Sequence, residues 1–379
     1  MGQSKVVFGD LSRRQSQDDD LLLSVLERVL SSGKYLLGDF LRDFERKFKE
    51  MLGLIDGYVL GVANGSDAIR IALEAKKIIN EQQTGKVALA ANTYYAAASS
   101  IVHSGLIPCF FDVSLETRFP NSDTLNCIDS SNVIGVIKSH LYGGADTLSY
   151  RDFFTQTWTL EDASQAHGTT LHKSFVGGGN LTTYSFYPTK NLGAIGDAGA
   201  IVTFNESEYE VIKKLRNQGV NEERTDHDLI GFNSRLSEIQ AGFLVVKMIR
   251  FKEKLERRIQ VYERYQENLA GYEEFLHFFT YPESVFSSHH LVQVLIKNQP
   301  AQLVQKNLET KEIYCGRHYP KPLHLQEAFR FLGYQKGDFP NSEKLSNHCL
   351  SLPNQPELTN AEIDEVSEAL IGVITQESE

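Results

Sequence analysis

Cysteine is scarce in this chain. Its 379 residues hold four, Cys109, Cys127, Cys315 and Cys349, with no CxxC pair and no other metal-ligand spacing. That excludes a disulfide-stapled scaffold and leaves no metal site to expect. The four are expected to be reduced thiols in a cytoplasmic protein. Positive charge is also short: 38 Lys and Arg stand against 49 Asp and Glu, a net charge of -11. Nucleic acid is therefore not an expected partner, because such binding draws its affinity from Lys and Arg on phosphates. A small anionic ligand is not excluded, since a local cluster of donors suffices for it. Long apolar runs are missing, and nothing approaches the ~20 residues of a membrane helix. The stretch MGQSKVVFGD lacks the apolar core of a signal peptide. Val6 stands where a myristoylation signal carries Ser or Thr. No internal repeat and no low-complexity segment is found.

What is present is a chain that is 41% hydrophobic, long enough for a large core and for two domains. Near the start, DDDLLLSVLERVLSSG places Leu22, Val25, Leu26, Val29 and Leu30 at helical spacing behind three aspartates. GDFLRDFERKFKEMLG repeats the pattern with Phe40, Leu41, Phe44, Phe48 and Met51. Strands then alternate with helices: YVLGVA, KVALAA, IPCFFD, VIGVIKSH, TWTLED, TTYSF and GAIVTF are strand candidates, and SDAIRIALEAKKII and YYAAASSIVHSG are helices. Near-continuous apolar strands between helices predict an α/β fold with a mostly parallel sheet covered on both faces. From Ser234 to Gly271 one long helical pattern is expected to connect two domains, a large one over 1–250 and a small α+β one over 251–379. A strand in HHLVQVLIK, a helix in PAQLVQKNLETKEI and a Thr-capped helix in TNAEIDEVSEALIGVI complete the small domain.

Three strand ends carry chemistry. In GVANGSDAIR a strand runs into Asn64-Gly65-Ser66-Asp67 and then a helix. Free N–H groups at a helix start bind phosphate, and Gly65 lets the phosphate come close. A Ser cap after a strand is also an ordinary α/β feature, and the stretch is neither a Walker loop nor a dinucleotide fingerprint. In TWTLEDASQAHG an apolar strand ends in Glu161-Asp162, where parallel sheets bind ligands. Asp162 could equally cap the next helix. In YSFYPTKNLGAIGDAGAIVTF a lone lysine, Lys190, sits in a tight turn between two strands. Alone it would read as a surface lysine. A phosphate cradle, a carboxylate and an amine together match the needs of pyridoxal phosphate (PLP). That cofactor needs its phosphate anchored, its ring nitrogen kept protonated and its aldehyde held as a Schiff base.

The chain resembles the DegT/DnrJ/EryC1 nucleotide-sugar aminotransferases, of aminotransferase fold type I. The likeness runs from SGKYLLGDFLRDFERKF to SLP. It rests on GVANGSDAI, ANTYYAAA, SHLYGGAD, LEDASQAHG, YSFYPTKNLGAIGDAGAIVT, GFNSRLSEIQA and HYPKPLHLQ as a set. The resemblance implies Lys190 as the Schiff-base lysine, Asp162 facing the pyridine nitrogen and Gln165 the ring hydroxyl. It implies Ser66 and Asp67 backbone N–H groups and the Ser185 hydroxyl on the phosphate beside Gly65, and Tyr94 stacked on the ring. Asn233 would reach the partner's phosphate, which implies a homodimer with shared sites. Tyr187, Arg224, His318 and Tyr319 fall where the family contacts a sugar nucleotide. Two departures stand out: VIKSHLYGG replaces the usual PVHLYGQ, altering the surroundings of Lys138 and Gly144, and Arg224-Thr225 replaces a frequent Lys-Tyr pair. The expected reaction is amination at C-3 of a dTDP-linked 3-keto-6-deoxyhexose with glutamate as donor. The rivals are C-4 amination of a 4-keto-6-deoxy sugar and a non-catalytic regulatory protein of the same fold.

Overall fold

The protein, in a computed structural model, is described over residues 5–13, 18–125, 128–154, 157–179 and 181–376. Cys127 lies outside them; Cys109, Cys315 and Cys349 are buried, unpaired thiols. Two helices, α1 (Asp19–Ser32) and α2 (Asp39–Met51), precede the sheet. Its strands are β1 (Tyr58–Val62), β2 (Lys86–Ala90), β3 (Ile107–Phe111), β4 (Val133–Ser139), β5 (Trp158–Asp162), β6 (Leu181–Ser185) and β7 (Gly199–Thr203). They lie in the order β1-β7-β6-β5-β4-β2-β3. β7 is antiparallel to both neighbours, and the run from β6 to β3 is parallel. This is the expected α/β architecture.

The pleat divides the strand side chains between two cores. Leu60 and Val62 join α3 (Gly65–Ile79) and α4 (Tyr95–His103) on one face. Val59, Tyr184 and Phe186 pack with Leu41, Phe44 and Phe48 of α2 on the other. In α1, Leu22, Val25 and Val29 are buried as expected, but Leu30 is exposed. The buried trio meets Phe243 and Val246 and needs only a narrow stripe.

The single long helix expected over 234–271 is two. After α5 (Glu206–Leu215), α6 spans Glu238–Met248 and α7 spans Phe251–Asn268. Ser237 caps α6 by accepting the Gln240 N–H at 3.4 Å. Continuous periodicity hid the break, which packing decides. α6 buries Phe243, Leu244, Val245 and Val246 against the large core, whereas Val261 and Tyr265 of α7 belong to the small one. At the junction Arg250 leaves the helical path and pairs with Asp18 at 3.4 Å. Glu238, also buried, accepts the N–H groups of Gly38, Phe40 and Leu41 at 2.8, 2.8 and 3.1 Å. It thereby serves the orphan donors at the start of α2. A Cβ on Gly38 would sit 2.6 Å from its carboxylate, so that approach needs glycine.

The C-terminal part forms an antiparallel sheet of β8 (Leu276–Phe278), β9 (Val292–Ile296) and β10 (Cys349–Leu352). Helices α7, α8 (Ala301–Glu309) and α10 (Asn360–Ile374) pack on it, α9 (Pro340–His348) leading into β10. Thr359 caps α10 in a full capping box with Glu362. Val6 is buried in this C-terminal core, while Leu323 and Phe329 pack on the large one. Among the described residues no helix is long and apolar enough to cross a membrane.

Candidate active site

Parallel strands deliver their C-terminal ends to one edge of the sheet. There β1 ends at Val62 and Asn64 starts α3, its Oδ1 accepting the Asp67 N–H at 2.8 Å. The Asp67 amide, which the resemblance places on a phosphate, donates within the cap in this structure. The amides of Gly65 and Ser66 open the helix and have no acceptor within it. A Cβ on Gly65 would lie 2.5 Å from Ser185 Cβ and 2.9 Å from Ser185 Oγ. Ser185 therefore packs directly on Gly65 at the start of α3, and only the missing side chain permits it.

Asp162 closes β5 and is buried. Its Oδ1 accepts from Ser164 N at 3.0 Å, and Oδ2 accepts no hydrogen bond among the described residues. Beside it, His140 N donates to Asp162 O at 2.9 Å, and His140 Nε2 lies 3.3 Å from Glu161 Oε2. Burial pushes the Asp146 carboxyl up, and Tyr150 OH donates to it at 2.7 Å. Gln165 uses both ends of its amide in the wall. Oε1 accepts from Tyr142 N at 2.8 Å, and Nε2 donates to Tyr319 OH at 2.6 Å, leaving one N–H for a ligand. Tyr94 and Tyr319 face each other with ring centres 5.8 Å apart.

Lys190 follows β6 in a turn closed by Lys190 N to Tyr187 O and Ala194 N to Phe186 O, both 2.8 Å. Lys247 Nζ fastens the far side on Gly193 O at 2.6 Å. Asn191 donates to His167 O and Ser288 O, and its Oδ1 meets His290 Nδ1 at 3.1 Å. So anchored, the turn offers an amine with no hydrogen bond among the described residues. Burial pushes it down to about 8, opposed by the attraction of Asp162. Burial also pushes His167 down to about 3 and His318 down to about 4, with Lys190 adding to each shift, so both imidazoles are neutral.

These groups line one cavity of about 760 Å³. Gly65, Ser66, Asp67, Tyr94, Asp162, Gln165, Ser185, Tyr187, Lys190, His318 and Tyr319 all border it. Asn233 and Arg224 do not: Asn233 bridges to Asn217 and Arg224 stands exposed in the loop after it. The structure adds His140, Arg258, His290 and Asn354 to the wall. His140 lay inside a quoted motif. The other three come from segments that read as strand, helix or tail, and no local pattern marks them. The SHLYGG departure also has a cause: a Cβ on Gly144 would lie 2.1 Å from Tyr281 Cε1, so the glutamine usual in relatives has no room. Lys138 turns away to donate to Leu148 O at 3.1 Å.

Lys190, with its lowered pKa, the buried Asp162 and the Gly65–Ser185 approach thus stand at three strand ends around one cavity. A model of the DegT/DnrJ/EryC1/StrS aminotransferase family matches residues 16–371. The chain belongs to this family. A "pleiotropic regulatory protein" of Geobacillus stearothermophilus is 33% identical, with 92% of this chain and 93% of the relative covered. The dTDP-3-amino-3,6-dideoxy-alpha-D-galactopyranose transaminase of Aneurinibacillus thermoaerophilus is 32% identical over 96% and 98%. Among solved structures, DesV of S. venezuelae superposes with a TM-score of 0.90 at 27% identity, over 99% of this chain and 100% of that one. The Bacillus subtilis protein NtdA with bound PMP gives 0.86 at 27%, over 98% and 86%. The fold is that of these family members.

Proposed function

We propose that this protein is a PLP-dependent aminotransferase of nucleotide-linked keto sugars. The observation that carries the reading is the convergence of Lys190, Asp162 and the Gly65–Ser185 cradle on one cavity. The residues fit the cofactor. Gly65 and Ser66 amides with the Ser185 hydroxyl would hold its phosphate, Asp162 Oδ2 would hold the proton on its ring nitrogen, and Lys190 Nζ would bind its aldehyde. When bound, the cofactor supplies an electron sink for the carbon that carries the amine. Lys190 Nζ, once released, would shuttle the proton from that carbon to a second one, a role suited to a group with pKa near working pH. The neutral imidazoles of His167 and His318 leave that amine free of a competing acid. The retained lysine supports an enzyme over a purely regulatory protein of the same fold.

The finer reading is a dTDP-linked 3-keto-6-deoxyhexose, aminated at C-3 with glutamate as donor. The dTDP-3-amino-sugar transaminase relative supports it, as do the SHLYGGAD and FYPTKNLGAIGDAG motifs. Tyr187, His318 and Tyr319 would line the sugar from within the chain. A panel of dTDP-3-keto and dTDP-4-keto 6-deoxyhexoses with glutamate, read by product mass and NMR, should show amine at C-3. An amine at C-4 would overturn the regiochemistry and leave the cofactor chemistry standing.

The working unit in this reading is a C₂ homodimer. Asn233 and Arg224, outside their own chain's cavity, would serve the partner's, with Arg224 on a diphosphate oxygen. Chains carrying Lys190→Ala, inactive alone, and Asn233→Ala, weakened alone, should regain activity when co-expressed, because one site of each mixed dimer is undamaged. Mixtures no more active than either parent would sink the shared site.

A further inference from the structure

Transamination asks one lysine to serve two unlike substrates in turn. A keto hexose is recognised at its ring through neutral hydroxyls. An amino-acid donor brings a carboxylate to the same place, and a carboxylate taken out of water needs a fixed cation, ideally a planar guanidinium. The question is which group near Lys190 can supply it.

The second cavity of the described residues, of about 640 Å³, shares its wall with the first at Gly9, Thr189, Lys190, Arg258 and Gln355. His290 and His318 on the same side are pushed below their ordinary value by burial and by Lys190, so they are neutral and cannot hold an anion by charge. Arg70 also borders the first cavity, but on α3, with its guanidinium 4.6 Å over the Phe232 ring. Arg258 belongs to both cavities. Burial pushes it down to about 10, with Glu357 opposing the shift, so it stays charged at neutral pH. Its Nη1 donates to Asn354 O, and it makes no other hydrogen bond or ion pair among the described residues. A guanidinium has five N–H groups. A half-buried one that uses so few bears part of a desolvation cost unrecovered, which a ligand carboxylate offsets. Asn354 is itself fixed, its Nδ2 donating to His289 O, so the guanidinium is held in place before a ligand arrives.

We infer that Arg258, which like Lys190 lines the wall shared by the two cavities, binds the carboxylate of the amino donor. The inference rests on the transaminase reading above and adds to it a donor subsite separate from the diphosphate contact. A sugar ring loses little when Arg258 is altered, because it presents no charge there. The donor and its keto-acid product lose a charge-assisted pair.

The test uses holoenzyme and its Arg258→Gln and Arg258→Lys variants. Calorimetric titration with 2-oxoglutarate reads the subsite without turnover. Arg258→Gln should weaken 2-oxoglutarate by about 10–100-fold, the size of one charge-assisted pair. Arg258→Lys, which keeps charge but loses the fork, should fall between and serves if the glutamine variant does not fold. The KM for glutamate should rise in step, while the KM for the nucleotide sugar and the visible cofactor absorbance stay at wild-type values. Folded variants that bind 2-oxoglutarate as wild type does, or that lose sugar affinity instead, would overturn the assignment. A wild-type protein that takes up no PLP and transfers no amine would defeat the transaminase reading itself, a distinct result.

Discussion

Lys190→Ala is expected to abolish the visible absorbance of lysine-bound cofactor and to reduce turnover to background. Two contributions disappear together. The covalent hold on the cofactor aldehyde is lost, and so is the proton shuttle at the substrate carbon, for which general acid–base assistance alone is worth about 10²–10⁴-fold. The rest of the site should persist, since the turn around Lys190 is held by the Tyr187 and Phe186 carbonyls, Asn191 and Lys247, not by the amine. The variant should therefore still take up PLP through the Gly65–Ser185 cradle, without the covalent bond. The amine's position also sets a pH dependence. Burial lowers it to about 8, and only the neutral amine attacks an aldehyde. Covalent capture of PLP by cofactor-free wild type should therefore rise with pH and level off above about 8. An ordinary exposed lysine would keep rising toward about 10.4. Retention of wild-type turnover in Lys190→Ala, or capture still climbing at pH 10, would remove the lysine from its role.

Asp162→Asn should bind PLP yet lose about 10–100-fold or more in single-turnover amination, because an amide cannot hold a proton on the ring nitrogen. A hydrogen bond to a charged group contributes roughly 1.5–3 kcal/mol, and here it also governs whether the electron sink exists. The side chain is well prepared. Asp162 is buried, Ser164 N holds one oxygen, and the other makes no hydrogen bond among the described residues. Asparagine can keep the Ser164 contact through its own oxygen, so the fold should be spared and the melting temperature should move little. Rapid mixing of the loaded variant with glutamate reads the half-reaction directly. Rates equal to wild type would show that some other group faces the nitrogen.

Much of this was written in local sequence. The strands of the large sheet are short apolar runs bounded by turn residues, so their existence could be read without knowing their partners. The motifs around Asn64, Asp162 and Lys190 each end a strand, and in a parallel sheet strand ends gather at one edge whatever the details of packing. That is why a cradle, a carboxylate and an amine could be placed together from 379 letters. The structure alone decided what depends on distant neighbours. Asn64 takes the Asp67 amide as the cap of α3. The helical run after Ser234 breaks at Ile249–Arg250, and beyond Phe251 and Leu255 its second half passes from the large core to the small one at Val261 and Tyr265. Arg258, His290 and Asn354 reach the wall beside Lys190 from helix, strand edge and tail. Nothing in their own surroundings marks them, since a side chain's destination across a hundred residues is set by register and crossover geometry. Periodicity reports which face of an element is buried; only the packed chain reports against what.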